Sequence, residues 1–281
     1  MEVLHTVAEL RHWSRARRSD AAHTVALVPT MGALHAGHAS LIRAAMASSS
    51  HVAVSIFVNP AQFGPNEDYS RYPRTFDADC ALAESEGAHA IFAPSVEELY
   101  PPGAATFVDV EGLSRRLDGQ SRPGHFRGVA TAVAKLLIAA EPHHAYFGQK
   151  DAAQIAVLRR MVADLHLPVE IVVCPIVREP DGLALSSRNV YLTPVERAQA
   201  LVLSRAIRHV ESLFASGERR AEALIEAANL AFAAEPEVRI DYIELVDWAS
   251  LEPIDTAIPG SLFAVAANVG PTRLIDNTIL L

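Results

Sequence analysis

Short apolar runs recur through the first two-thirds of the chain, at 24–28, 51–58, 89–93, 144–147 and 169–173. They are continuous rather than alternating, and partly β-branched. That pattern predicts strands covered on both faces. Between them lie stretches of helical periodicity at 37–49, 77–86, 128–140 and 151–165. The last carries Ile155, Leu158, Met161, Val162 and Leu165 on one face. Strands alternating with helices predict βαβ units, hence an α/β domain with a parallel sheet between helical layers. Pro175 and the run Arg178, Glu179, Pro180, Asp181, Gly182 interrupt the pattern, and a domain boundary is expected there. The predicted domains are 1–176 and 177–281. In the second, Thr193 is placed to cap a helix, Pro194 suits its first position, and Glu196 completes a capping box. Another Ala-rich helix is expected near 219–234, then strands at 239–246, 262–267 and 278–281. That describes a smaller α+β domain.

Composition narrows the function classes. The chain has 281 residues, half of them hydrophobic and 20% charged, with a net charge of −9 and an isoelectric point near 5.7. An acidic balance argues against nucleic acid or an anionic membrane as the main partner. It leaves room for a local basic pocket. Cys80 and Cys174 are too few and too far apart for a disulfide framework or a zinc pattern. No apolar run has the roughly 18 residues of a membrane span, and the first residues lack the build of a signal peptide. A cytoplasmic location is expected.

The candidate chemistry begins where the first of these strands ends, at Met31, Gly32, Ala33, Leu34, His35, Ala36, Gly37 and His38. A glycine-bearing strand-to-helix turn in a parallel sheet is where nucleotides bind. The helix there offers unpaired N–H groups and the positive end of its dipole. The turn lacks the glycine spacing of a dinucleotide site, and His38 stands where a P-loop needs lysine. What remains is H-x-G-H, two imidazoles on one helical face that can donate to phosphate oxygens. Such a pair can equally be solvated, or part of a core, or a fragment of a metal site. Two further segments suit phosphate. Leu185, Ser186, Ser187 and Arg188 offer two hydroxyls and a guanidinium, unless they are only a capped helix start. Gly148, Gln149, Lys150 and Asp151 follow a strand and open a helix; Lys150 can reach a phosphate and Asp151 a ribose hydroxyl. A lone lysine is more often a plain surface charge.

Taken together, PTMGALHAGH, SIFVNPAQFGPNEDYSRYPRT, RPGHFRGVATAV, YFGQKDAAQ and LSSRNVYL resemble the pantoate–β-alanine ligase family, in the same order and spacing over nearly the whole chain. The H-x-G-H and Ser-Ser-Arg-Asn segments alone would indicate only a nucleotidyltransferase-like protein. The resemblance implies a Rossmann-like N-terminal domain, a smaller C-terminal lid domain and a homodimer. It implies ATP, pantoate and β-alanine as substrates, Mg²⁺ as helper, and pantothenate, AMP and pyrophosphate as products. It places Met31, His35 and His38 in the ATP-binding turn, with His38 as acid. It assigns Gln62 and Gln154 to pantoate and Gly148, Lys150 and Asp151 to the nucleotide. Val177 and the segment 186–188 fall at adenine and phosphate contacts. Asn59, Tyr72, Arg122 and His125 become pocket-lining positions. Leu185 departs from the methionine usual in the family, a nearly volume-conserving change. The metal ligands are left unknown. The polar, turn-rich segment 63–68 is suited to a mobile flap. Rival readings are a nucleotidyltransferase acting on a phosphate acceptor and a nucleotide sensor without turnover. A tRNA-charging enzyme would need further domains and a basic surface, and a dehydrogenase would need its glycine fingerprint.

Overall fold

In the computed structural model, residues 1–281 are described except Ala21 and Asn66. The chain forms two compact units, Met1–Gly148 with Val157–Pro175, and Gln149–Ala156 with Ile176–Leu281.

The first unit is built on one parallel sheet. Its strands are β1 (Glu2–Leu4), β2 (Val25–Thr30), β3 (His51–Ile56), β4 (Ala90–Phe92), β5 (His144–Gly148) and β6 (Glu170–Cys174), in the order β1-β4-β3-β2-β5-β6. Every neighbouring pair is parallel. The connecting helices are α1 (Val7–Arg18), α2 (Ala36–Ser48), α3 (Phe76–Ser85), the short α4 (Val96–Leu99) and α5 (Asp118–Ser121), α6 (His125–Ala140) and α7 (Ala152–Asp164), whose residues up to Ala156 belong to the second unit. Val25, Ala26, Leu27 and Val28 are wholly buried, which is why β2 reads as an unbroken apolar run. On one face Ala26, Val28, Val52 and Val54 pack with Leu41, Ile42 and Ala45 of α2 and Ala83 of α3. The other face is covered by α1 and α6, which bury Leu10, Trp13, Phe126, Val129 and Leu137. Strand order reverses at β2, with β3 on one side and β5 on the other. Connections from the two halves leave in opposite directions there, and a crevice opens at the strand carboxyl ends.

The second unit contains α8 (Pro194–Ala215), α9 (Ala221–Phe232) and the antiparallel sheet β7 (Val238–Val246), β8 (Leu262–Val269) and β9 (Thr272–Ile279). Thr193 and Glu196 form the expected capping box, with Pro194 in the first turn. Leu203, Ile207 and Val210 of α8 and Leu224 and Phe232 of α9 pack with Phe263, Val265 and Ala267 of β8.

Two features depart from the sequence pattern. The final strand is Thr272–Ile279 rather than 278–281, because Arg273, Asp276 and Asn277 interrupt its apolar run. At the amino end, β1 and α1 lie outside the predicted elements. The strand is three residues long, and the helix start is marked by a Thr6–Glu9 capping box.

Candidate functional site

In the first unit, the turn after β2 is shaped by its own strand and by α3. Thr30 donates its hydroxyl to the Ser55 carbonyl at 2.7 Å and accepts from the Gly32 amide at 3.1 Å. Gly32 and Ala33 both have positive φ, 79° and 51°. A left-handed alanine costs about 1–2 kcal/mol, so something must hold it. Asp79, 2% exposed, does so: its two oxygens accept from the Ala33 amide at 2.9 Å and the Leu34 amide at 2.8 Å. Thr75 donates to the same carboxylate at 3.0 Å. The amides of Ala33 and Leu34 are thus engaged by a side chain rather than turned to a ligand. A cleft of about 300 Å³ opens beside this turn, lined by Met31, Gly32, Ile56, Phe57, Arg74 and Phe76 among others.

The two imidazoles of H-x-G-H close the start of α2. His35 is the N-cap and accepts the Gly37 amide on Nδ1 at 3.1 Å. His38 accepts the His35 amide on its own Nδ1 at 3.3 Å. The rings lie 4.1 Å apart between centroids. An acceptor Nδ1 puts the hydrogen of a neutral ring on Nε2. Each ring therefore carries its donor on the nitrogen opposite the backbone bond.

Gln62 ends a 3-10 turn, Pro60–Gln62, whose N-cap Asn59 accepts the Ala61 amide at 3.2 Å. The turn lies on α6 at Gly128, where a β-carbon would overlap the Ala61 carbonyl and the Gln62 amide. Asn59 donates to the Gly128 carbonyl at 3.0 Å and to Gln62 Oε1 at 3.1 Å. Gln62 in turn donates Nε2 to the Met31 sulfur at 3.0 Å. Arg122 grips Glu67 with a bidentate fork, both contacts 2.7 Å. It also donates to His125 Nε2 at 3.0 Å, while His125 Nδ1 donates to the Gln62 carbonyl at 2.9 Å. Burial, aided by Arg122, pushes the His125 imidazole down to about 4. Burial alone would raise the Glu67 carboxyl, but the Arg122 fork outweighs it and the net direction is down. The fork holds Glu67, and Phe63 packs on Tyr69 and Tyr72; the segment 63–68 expected as a flap includes Asn66, which lies outside the described residues. Tyr72 is buried in that cluster.

In the second unit, one strand anchors two further segments. Asn277 of β9 donates to the carbonyls of Gln149 and Lys150 at 3.1 and 2.9 Å, and accepts from the Gln149 side chain at 3.3 Å. This holds the turn Gln149–Asp151, in which Lys150 Nζ lies 3.4 Å from Asp151. The next residue back, Asp276, takes Arg178 in a two-point pair of 2.6 and 2.9 Å. Burial opposes the Arg178 charge, yet Asp276 holds the guanidinium above its usual range. Arg178 lies in a hairpin where Leu185 donates its amide to the Val177 carbonyl at 2.9 Å. Arg197 braces the same hairpin through Glu179 and Asp181. Ser186 then caps the 3-10 turn Ser187–Tyr191 by accepting the Arg188 amide at 3.3 Å. Gln154 occupies the first turn of α7, which Trp248 fixes by donating to the Ala152 carbonyl at 3.0 Å.

A family model described as pantoate-beta-alanine ligase matches residues 2–279. The chain belongs to the pantoate–β-alanine ligase family. A pantothenate synthetase of Koribacter versatilis is 55% identical over 280 residues, covering 100% of this chain and 96% of its own length. That of Acidobacterium capsulatum is 57% identical, with 99% and 94% covered. Among solved structures, a pantothenate synthetase from Thermus thermophilus aligns with a TM-score of 0.94 at 47% identity, covering 100% of this chain and 99% of that one. A pantoate-beta-alanine ligase from Francisella tularensis, complexed with beta-gamma ATP and beta-alanine, aligns at 0.80 and 33%, covering 99% and 97%.

Several structural residues of this family member carry no signal in the sequence that singles them out. Asp79 and Asn277 hold the turns that carry His35 and Lys150, and neither lies in the turn it serves. Their only sequence trace is a buried-type position occupied by a polar residue. Leu185 engages Val177 through its backbone, a bond that does not depend on which side chain stands there. Among the described residues, no group of three or more His, Cys, Asp or Glu could hold a metal, and no helix is long and apolar enough to cross a membrane.

Proposed function

We propose that this enzyme condenses pantoate with β-alanine, driven by ATP, through a pantoyl-adenylate, with release of AMP and pyrophosphate. The observation that carries this reading is the Gln62 amide. Among the described residues its N–H donates to a thioether, a weak acceptor, that of Met31 just past the end of β2. A carboxylate or hydroxyl oxygen is a better partner, and an uncharged donor does not repel an attacking anion.

A carboxylate is a poor acyl donor at neutral pH because oxide is a poor leaving group. Attack of the pantoate carboxylate on the α-phosphorus of ATP forms the P–O bond of the adenylate and expels pyrophosphate. Charge gathers on phosphate oxygens during this step. Fixed donors aimed at them stabilise the transition state more than the ground state. His35 and His38 in the first unit, and Lys150, Ser186, Ser187 and Arg188 in the second, are the donors assigned to this work. The nucleotide further engages Met31, Gly32, Ala36 and Gly37, then Gly148, Gln149, Asp151, Val177 and Leu185. Because Asp79 holds the amides of Ala33 and Leu34, that stretch of backbone acts by shape rather than by donation. Gln62 and Gln154 orient pantoate. The neutral β-alanine amine then attacks the adenylate carbonyl; the C–N bond forms, AMP leaves with the C–O bond electrons, and the nitrogen gives up one proton, to the departing phosphate or to solvent.

Mg²⁺ would enter as an ion carried by the triphosphate, since it keeps waters and needs few carboxylates. Its chemistry would be to neutralise phosphate charge. Residues 1–176 serve as the ATP- and pantoate-binding domain and 177–281 as the smaller one, with Gln149–Ala156 grouped with the latter, in a cytoplasmic homodimer.

The test is pyrophosphate exchange into ATP. It should require pantoate and proceed without β-alanine. Exchange that appears only when β-alanine is added would rule out the two-step scheme.

A further inference from the structure

We infer that Tyr100 is a positioning residue for pantoate, acting through Asn59 to make Gln62 an obligate donor. The inference rests on the assignment of Gln62 to pantoate made above. Tyr100 follows α4 and points its hydroxyl at Asn59 Oδ1, 3.0 Å away. That oxygen also accepts the Ala61 amide. Two donors on one atom identify it as the carbonyl end. The amide end spends both its hydrogens, on the Gly128 carbonyl and on Gln62 Oε1. Asn59 is 2% exposed, so no water can replace any of these partners. A reversed Asn59 would set its oxygen against two other oxygens and its NH₂ against two donors.

The consequence passes to Gln62. Its oxygen is committed to Asn59, so its nitrogen faces outward to the Met31 sulfur. The orientation of one amide thus decides that the substrate must present an acceptor at this point. A carboxylate or hydroxyl oxygen satisfies it, whereas an ammonium or amide N–H in that place does not.

The supports of this chain lie on one helix. Gly128 and Lys135 are two turns apart on α6, hence on the same face. Gly128 receives the Asn59 amide. Lys135 donates to the Leu99 carbonyl at 2.6 Å and lies 4.9 Å from the centre of the Tyr100 ring. Burial pushes the Tyr100 phenol up to about 12, although its bond to Asn59 opposes the shift. It therefore stays a donor throughout the working pH range.

Exchange kinetics on the full chain, without β-alanine, test this. Tyr100→Phe should raise the KM for pantoate about threefold to tenfold, with kcat and the KM for ATP changed less than about twofold. Asn59→Asp, which turns a second oxygen toward Gln62 and so reverses its amide, should raise the pantoate KM by at least about tenfold with the ATP KM kept. In a Gln62→Ala background, Tyr100→Phe should add nothing to the pantoate KM. An unchanged pantoate KM in Tyr100→Phe, beside a raised one in Gln62→Ala, would overturn the role of Tyr100 alone. An equal effect of Tyr100→Phe in both backgrounds, as a merely structural residue would give, would overturn that role too. An unchanged pantoate KM in Gln62→Ala would instead overturn the assignment of Gln62 itself.

Discussion

Replacing Asp79 with asparagine separates the shape of the H-x-G-H turn from its chemistry. The carboxylate accepts two amides and one hydroxyl, at 2.9, 2.8 and 3.0 Å. Asparagine keeps one acceptor oxygen and turns an NH₂ toward the other amide. One charge-assisted bond is lost, about 1.5–3 kcal/mol, and two donors are left facing each other in a buried place, about 1–3 kcal/mol more. At 2% exposure water gives no relief. The expected destabilisation is about 3–5 kcal/mol, read as a lower midpoint in urea with an unchanged slope. The left-handed pair Gly32 and Ala33 loses its brace at the same time. The KM for ATP should therefore rise by about tenfold or more, since small misplacements of donors are costly. A loss below about 1 kcal/mol together with an unchanged ATP KM would refute the view that Asp79 sets this turn.

Three further outcomes are expected. His125 is held near 4 when folded and returns to its ordinary 6.5 when unfolded, so the unfolded state binds more protons between these values. Stability should fall as pH drops through that window, by roughly 2 kcal/mol at about pH 5, and His125→Asn should flatten the slope; the lowered Glu67 carboxyl acts in the same direction at more acid pH. Asn277→Ala frees the carbonyls of Gln149 and Lys150, and should cost about 1–3 kcal/mol of stability in denaturant melts and raise the ATP KM more than the pantoate KM. Lys150→Ala should slow exchange at least tenfold, roughly 1.4 kcal/mol of transition-state stabilisation; an unchanged rate would remove Lys150 from the mechanism.

Much of the fold is legible in the sequence because burial imposes period. A strand segment covered on both faces, such as Val25 to Val28, is apolar throughout, and helices such as Pro194–Ala215 announce themselves with a cap and a stripe. The strand Thr272–Ile279 is not legible over its length, because its residues serve distant segments: Asp276 holds Arg178, and Asn277 holds the turn at Gln149–Asp151. Polar residues with tertiary partners erase the pattern that would reveal a strand. The candidate site divides the same way. His35, His38, Lys150 and Arg188 can be picked out by type and local spacing, whereas Gln62 is reached only through the family resemblance. That His35 Nδ1 takes the Gly37 amide and His38 Nδ1 the His35 amide, so that both rings carry their donors on Nε2, is visible only in the folded structure.

The alternation of strands and helices, the position of the H-x-G-H turn after a strand and the family of the chain are all readable from the residues in order, since these are written in neighbouring residues. It takes the folded chain to show that Asp79, far along the sequence from Ala33, occupies the amides of that turn, and that Tyr100 and Asn59 aim the amide of Gln62. Hydrogen bonds act over about 3 Å in space, whatever the separation along the chain, and a linear pattern records only what recurs within a few residues.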